Sequence, residues 1–279
     1  MTCKELHHHT LRRLRAAGID NAEQEARWIC EHSFANFATR ILTVPDEVAD
    51  SANARRVEQA VERRSAGEPL QYILGSTEFY SLELETASGV LIPRPETEWL
   101  VDLVLRTSHP PGPVLDLCCG SGAIALALAA NFAPPRRIVA ADSSSAAVST
   151  TKRNAQRLGL SVEVRQGDLF DPASERFAVI VTNPPYVSES EYAELDPEVR
   201  DHEPPEALRA GNDGLDVIRR IAEQAADHLL SGADLFCEIG ARQGEAVKKL
   251  FETRGFVDVH ILPDHAGRDR IVQARNAGD

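Results

Sequence analysis

A chain of 279 residues with a formal net charge of −13 is long enough for one or two hydrophobic cores, and it lacks the basic excess of a protein that grips duplex DNA or folded RNA through many phosphates. Hydrophobic residues at 43% and charged residues at 26% are the balance of an ordinary globular protein, and no uninterrupted apolar run is long enough to span a bilayer. No apolar stretch follows the basic residues of the N-terminus, so a secretory signal is not expected and the cytoplasm is the expected compartment. The five cysteines, Cys3, Cys30, Cys118, Cys119 and Cys237, are odd in number and form no C-x-x-C pair, which points to free thiols and away from disulfides or structural zinc.

The chain reads as helical to about Gly67. Leu11, Leu14 and Ile19 make one apolar stripe; Trp28, Ile29 and Phe34 make a second, opened by Asp20-Asn21 as a capping region; Val57, Ala60 and Val61 mark a third helix. Pro45 and Asp46 punctuate the stretch between helices. The arginine groups Arg12, Arg13, Arg15 and Arg55, Arg56, Arg63, Arg64 fall at helical spacings and read as solvated faces. His7, His8 and His9 are consecutive, so on a helix they point in different directions and chelate poorly; no metal site is expected. From Ser76 to Ile92, Phe79, Leu82 and Leu84, then Val90, Leu91 and Ile92, flank Thr86-Ala87-Ser88-Gly89, the pattern of a hairpin. Pro93-Arg94-Pro95-Glu96-Thr97-Glu98 then stiffens the chain into a helix, with Glu96 and Glu98 complementing its positive end. From Val114 onward, strand candidates at 114–117, 137–141, 162–165, 178–182, 234–239 and 257–262 alternate with helical stretches at 123–130, 146–158, 214–230 and 244–253, which predicts an α/β domain with a mostly parallel sheet covered on both faces. The expected organisation is a helical contact domain over 1–75, a hairpin linker over 76–93 and an α/β catalytic domain over 94–279.

The first α/β strand runs into Asp116-Leu117-Cys118-Cys119-Gly120-Ser121-Gly122 and a helix. Glycines at such a turn admit a ligand close to the backbone and expose amides at the helix N-terminus. The third glycine of a dinucleotide fingerprint is missing, because Ile124 and Ala125 follow, and Asp116 would repel a diphosphate while attracting a positively charged amino group. Asp142 ends the second strand about twenty residues beyond the glycines, where a carboxylate can accept from both ribose hydroxyls. After the third strand, Asp168 is placed to accept from an adenine amino group, with Leu169 or Phe170 against the ring. Three acidic strand ends suit an adenosyl ligand without phosphate.

The fourth strand ends in Asn183-Pro184-Pro185-Tyr186, the most specific signal in the chain. The prolines restrict Asn183 and Pro184 to extended geometry. That restriction can aim the Asn183 side-chain oxygen and a backbone carbonyl at one point, where together they accept both hydrogens of an NH2 group, and Tyr186 can stack on the planar group that carries it. An amide nitrogen is a poor nucleophile because its lone pair is delocalised. Accepting both N–H bonds favours a pyramidal nitrogen and aims its lone pair, so that positioning does most of the work.

This run resembles amino-methyltransferases that act on adenine, cytosine or glutamine. Gly67-Glu68-Pro69-Leu70-Gln71-Tyr72, Gly75, Phe79-Tyr80, Leu91-Ile92-Pro93-Arg94-Pro95-Glu96-Thr97-Glu98, Gly211-Asn212-Asp213-Gly214-Leu215 and Ala266-Gly267-Arg268-Asp269-Arg270 resemble the HemK/PrmC family across nearly the whole chain, least before about residue 55. The resemblance implies a class I S-adenosylmethionine-dependent methyltransferase domain, Rossmann-like, behind an N-terminal helical bundle and a β-hairpin linker. It implies transfer of a methyl group from S-adenosyl-L-methionine to the glutamine of the Gly-Gly-Gln loop of peptide chain release factors, in support of translation termination. It also implies cofactor contacts from Cys118, Cys119, Gly120, Ser121 and Gly122 with Asp142, Asp168 and Leu169, and substrate contacts from Asn183, Pro184, Pro185 and Tyr186. Cys119 departs from the threonine usual in the family, which removes a hydroxyl and leaves the backbone amide. A nucleic-acid adenine methyltransferase would share the Asn-Pro-Pro-Tyr logic but would need a basic cleft and a flipped base. A catalytically silent binding module would not need Asn183 and the acidic strand ends intact.

Overall fold

The computed structural model describes residues 1–44 and 46–278, so the punctuation expected at Pro45 lies outside the described residues. In chain order the helices are α1 (Cys3–Ala16), α2 (Ala22–Ser33), α3 (Phe37–Thr43), α4 (Ser51–Ser65), α5 (Leu70–Leu74), α6 (Glu96–Arg106), α7 (Ala123–Asn131), α8 (Ser145–Leu158), α9 (Glu189–Ala193), α10 (Pro197–His202), α11 (Asp216–Gln224) and α12 (Gly244–Thr253). The strands are β1 (Ser76–Phe79), β2 (Leu82–Glu85), β3 (Val114–Leu117), β4 (Ile138–Asp142), β5 (Val162–Gln166), β6 (Phe177–Thr182), β7 (Leu229–Glu238), β8 (Phe256–Pro263) and β9 (Asp269–Asn276). Two compact units result, Met1–Gly75 with Pro197–His202, and Ser76–Asp196 with Glu203–Asp279.

In the helical unit, Thr2 and Glu5 form a reciprocal capping box that starts α1, and Asp50 caps α4 through the amide of Asn53. Leu6 and Leu14 of α1, Ile29 of α2, Phe34, Phe37 of α3, and Val57 and Val61 of α4 form its core. Asn21 stands at the N-cap of α2 as the sequence pattern predicts, without a side-chain hydrogen bond. Trp28 leaves the expected stripe: α2 buries Ala26, Ile29 and Cys30, which turns Trp28 outward, 46% exposed. Arg64 likewise departs from the solvated face expected of its cluster. It is buried, forks onto Glu25 of α2 at 2.6 and 3.1 Å, and reaches Glu198 of α10 at 2.7 Å. That ion pair joins the short helix α10 to a unit remote from it in sequence.

The second unit is built on a seven-stranded sheet of order β5-β4-β3-β6-β7-β9-β8, with β3 to β7 parallel and β9 antiparallel to both its neighbours. Its strands alternate between two cores. Leu115, Val139 and Ile180 face Ile218, Ile221, Val247 and Phe251, while Val114, Ile138, Val179 and Val181 face Leu100, Val104, Ile124 and Leu128. β9 was not among the expected strands. Its Ile271, Val272 and Ala274 are buried between β7 and β8 inside a charged run that masks them. The helix expected over 214–230 is shorter: α11 gives way to a 3₁₀ turn over Ala225–His228, and Leu229 already opens β7.

A hairpin forms between β1 and β2, but its turn is not at Thr86–Gly89. Phe79 pairs with Leu82, so Tyr80 and Ser81 form a two-residue turn with both φ angles positive, 49° and 60°. Neither residue is of the Gly, Asn or Asp type that favours positive φ. Helix α6 holds the turn, since Glu98 accepts from the Tyr80 amide at 2.8 Å and Asp102 accepts from its hydroxyl at 2.7 Å. Glu98 is therefore tied to the hairpin, beyond the helix-end role expected of it. Phe79 and Leu84 are buried in the core of this second unit.

Candidate active site

The register of the sheet sets the site. Ala141 of β4, Leu117 of β3, Thr182 of β6 and Cys237 of β7 are lateral partners. The next residues, Asp142, Cys118, Asn183 and Glu238, therefore stand in a row at the carboxyl ends of adjacent parallel strands, where open α/β sheets bind their ligands. The Thr182 hydroxyl donates to the Leu117 carbonyl at 2.9 Å and the Cys119 amide to the Ala141 carbonyl at 3.1 Å, which lock neighbouring strand ends together. Cys118 has φ +57°, a left-handed conformation that a side chain other than glycine adopts only under constraint.

A cleft enclosing about 820 Å³ of empty space, part of it open to solvent, lies over this rim. Its floor is Cys118, Cys119, Gly120 and Ser121; Asp142, Ser143 and Ser144 form one side, Asn183 and Pro185 the other, and Phe79, Val90, Leu91 and Ile124 supply apolar wall. Asp142 is oriented by two backbone amides, Gly120 on Oδ2 and Ser144 on Oδ1, both at 2.9 Å. Burial raises its carboxyl above the ordinary value, against the pull of those amides. At Gly120, φ is +56° and a side chain would meet nothing within 4 Å, so the backbone is open to a ligand.

Asp116 lies under the floor and not in the cleft wall. It is fully buried; Oδ2 accepts from the Ala125 amide at 3.0 Å, and Oδ1 has no hydrogen-bond partner. Burial, and secondarily the charge of Asp142, raise its carboxyl well above the ordinary value. Gly122 also stays out of the wall. Its φ is +83°, and a Cβ would lie 2.7 Å from Thr151 Cγ2, so it serves the close approach of the start of α7 to Thr151 of α8. Asp168 and Leu169 lie outside the wall as well: Asp168 pairs with Arg220 at 2.6 Å, and Leu169 is buried in one of the two cores. Phe170, the alternative ring partner, is already stacked on His228 with centroids 4.6 Å apart. Pro184 and Tyr186 line a second, smaller cavity that shares Leu91, Arg94, Asn183 and Ala207 with the cleft.

Thr97 and Glu238 join this constellation, although no sequence pattern assigned them a role. Asn183 Nδ2 donates to Thr97 Oγ1 at 3.2 Å, the Thr97 hydroxyl donates to Glu238 Oε2 at 2.7 Å, and the Tyr186 hydroxyl donates to Glu238 Oε1 at 3.1 Å. Burial, reinforced by the Glu238 charge, raises the Tyr186 phenol, so it stays a neutral donor. Arg94, which lines both cavities, is paired at 2.5 Å with buried Glu203, and Glu203 also accepts from the Ile92 amide at 3.1 Å. Among the described residues no group of three or more His, Cys, Asp or Glu is arranged to hold a metal ion, and no described helix is long and apolar enough to cross a membrane.

These features fit S-adenosylmethionine. The cleft has the size and apolar lining of a small-ligand site, and its one cationic lining residue is already paired with a carboxylate, which disfavours a phosphate-bearing ligand. The unpartnered oxygen of Asp116 and the partly buried Asp142 favour a cationic, ribose-bearing one.

A parallel α/β sheet with this rim is that of a class I S-adenosylmethionine-dependent methyltransferase. The fold is similar to that of a methyltransferase from Pyrococcus furiosus, with a TM-score of 0.55 and 17% identity over 82% of this chain and 100% of that one. A PrmC N-terminal domain matches residues 5–75 and a methyltransferase small domain matches residues 95–196. The chain is 43% identical over 266 residues to the release factor glutamine methyltransferase of Cereibacter sphaeroides, 94% of each chain, and 38% identical to that of Deinococcus radiodurans over the full length of both. The chain belongs to the release factor glutamine methyltransferase family.

Proposed function

We propose that this protein transfers a methyl group from S-adenosyl-L-methionine to the side-chain amide nitrogen of the glutamine in the Gly-Gly-Gln loop of peptide chain release factors. The observation that carries this reading is the place of Asn183. It lies in the wall common to the cofactor cleft and the smaller cavity, with its Nδ2 committed to Thr97. Oδ1 is then the atom of that amide available to accept from an incoming NH2 group.

When bound, the cofactor supplies an activated methyl group on a cationic sulfur. The chain's own residues orient and solvate. Asp142 would accept from the ribose hydroxyls, the backbone from Cys118 to Ser121 would hold the cofactor, and Asp116 would supply negative charge to its amino group. Asn183 Oδ1 and a backbone carbonyl of the Asn-Pro-Pro-Tyr turn accept the two amide hydrogens of the substrate glutamine, and Pro184, Pro185 and Tyr186 confine its plane. Holding both N–H bonds aims the nitrogen lone pair and removes the need for a base before transfer; the new C–N bond forms as the methyl–sulfur bond breaks, and the alkylated nitrogen, now acidic, then gives up one proton to solvent. Asp168 and Leu169 stand at the edge of this arrangement, with Asp168 Oδ2 already paired with Arg220.

The helical unit is the proposed contact surface for the body of the release factor. It carries exposed Trp28, Leu42 and Val48, the last two 83% and 71% exposed. The formal charge of −13 speaks against nucleic acid as the direct substrate, and the proposed place of action is the cytoplasm, where translation terminates. The test is transfer of label from S-adenosylmethionine to a purified release factor, beside the same factor with its loop glutamine changed to alanine, a duplex DNA and a ribosomal RNA. Label in the intact factor alone, lost with Asn183→Ala, is the expected result. Label in nucleic acid would overturn the substrate assignment.

A further inference from the structure

Behind Asn183 lies a buried carboxylate that the transfer chemistry above does not use. Glu238 is 1% exposed and receives two hydroxyls, Thr97 on Oε2 at 2.7 Å and Tyr186 on Oε1 at 3.1 Å. A carboxylate only accepts, so both hydroxyl protons turn toward it. Thr97 has then spent its single proton, and its oxygen faces Asn183, 3.2 Å away, as an acceptor. The NH2 end of the Asn183 amide suits that acceptor; the carbonyl end does not. A flipped amide would set two acceptors face to face, a preference against it of roughly ten- to a hundredfold, or about 1.4–2.7 kcal/mol. Burial raises the Glu238 carboxyl, while the Thr97 hydroxyl, the Arg270 charge and the Tyr186 hydroxyl pull it back and the charge of Glu96 adds to the rise.

We infer that Glu238 and Thr97 are positioning residues for the transfer: Glu238, acting through Thr97, fixes which end of the Asn183 amide faces the substrate, and through its second oxygen it fixes the Tyr186 ring. This rests on the proposed function, because it assigns Asn183 Oδ1 the task of accepting from the substrate NH2. The inference places the orienting group on β7 and α6, outside the Asn-Pro-Pro-Tyr run itself. Packing alone would make Thr97 replaceable by any residue of its shape; the relay requires its oxygen.

The experiment compares kcat, the KM for release factor and the dissociation constant of S-adenosylmethionine for the wild type, Thr97→Val, Thr97→Ser, Glu238→Gln and the Thr97→Val/Glu238→Gln pair. Thr97→Val keeps the shape and removes the oxygen. Its kcat is expected to fall roughly ten- to a hundredfold, with cofactor affinity and KM within about threefold, and Thr97→Ser is expected to recover most of the loss. On the Glu238→Gln background, Thr97→Val is expected to cost less than on the wild type, because the two act in series. Cofactor affinity reports that each variant is folded, and the Thr97 pair decides the question if Glu238→Gln does not fold. A kcat within twofold of wild type for Thr97→Val, equal impairment of the Val and Ser variants, or losses that simply multiply in the double variant would overturn the relay. A wild type that leaves the release factor unlabelled counts against the function itself; an active wild type with an unimpaired Thr97→Val counts against the relay alone.

Discussion

The backbone amide of Gly120 donates to Asp142 Oδ2 at 2.9 Å, which ties the carboxylate at the end of β4 to the loop that follows β3. One side chain thus shapes the loop and presents its remaining lone pairs to the cleft.

That double duty ranks the acidic strand ends. Asp142→Asn replaces one acceptor oxygen by an NH2 facing a backbone amide, either Gly120 or Ser144. The loss of about 1–3 kcal/mol weakens S-adenosylmethionine binding roughly five- to 150-fold. Asp168→Ala is expected to stay within a few-fold of wild type, because its carboxylate is half-exposed and engaged with Arg220. Equilibrium titration of both variants checks the ranking; a larger loss at Asp168 would return it to the adenine contact read from the sequence.

Asp116 gives a pH dependence. Its carboxyl is raised well above the ordinary value by burial, so it is protonated over a range in which an exposed carboxyl is charged. A cationic ligand favours the ionised form. Affinity for S-adenosylmethionine is therefore expected to rise with pH through the raised value and to fall below it, with a proton released on binding inside that window. Calorimetry from about pH 5 to 8 in buffers of different ionisation enthalpy measures both. Asp116→Asn is expected to lower affinity tenfold or more and to flatten the part of the profile that Asp142 does not carry. A wild-type affinity that rises as pH falls would contradict the assignment.

The alternation of strands and helices from Val114 to Phe256 was legible because buried parallel strands are short apolar runs, and Asn183 was legible because two prolines after a strand leave few other readings. The hairpin turn was not. Tyr80 and Ser81 are not the Gly, Asn or Asp that positive φ favours, and the turn is held by Glu98 and Asp102, eighteen and twenty-two residues from Tyr80. β9 escaped for a related reason: Ile271 and Val272 sit among Asp269, Arg270, Gln273 and Arg275, and only the neighbouring strands make them core. Thr97 of α6 and Glu238 of β7 lie 141 residues apart, so their partnership exists only once that helix packs on the sheet. Local pattern reports what a segment buries, not which distant partner its polar groups will find.

The two glycines of the loop are expected to respond differently to substitution. At Gly122 a methyl group would lie 2.7 Å from Thr151 Cγ2 and 3.2 Å from Leu126 Cδ1, on a backbone with φ +83°. Gly122→Ala combines backbone strain with overpacking, a cost of about 2–4 kcal/mol, read as a drop of several degrees in Tm. At Gly120 the methyl group meets nothing within 4 Å, so Gly120→Ala costs about 1 kcal/mol through φ alone. Its larger effect falls on cofactor affinity, since that methyl group stands where the ligand approaches. Equal losses of Tm in the two variants would show that Thr151 yields.

The vicinal thiols at the cleft floor test the electrostatics from the other side. Burial raises both Cys118 and Cys119, and the charges of Asp142 and Asp116 raise them further. The reactive species is the thiolate, so near neutral pH these residues are expected to be inert despite lining the cleft. Maleimide labelling of the native protein, followed by mass spectrometry, is expected to proceed slowly at all five cysteines and to become complete on denaturation. Rapid modification of Cys118 in the native protein would mean that a group near the cleft stabilises its thiolate. In that case the negative field assigned to Asp116 and Asp142 would not be the one the cofactor meets.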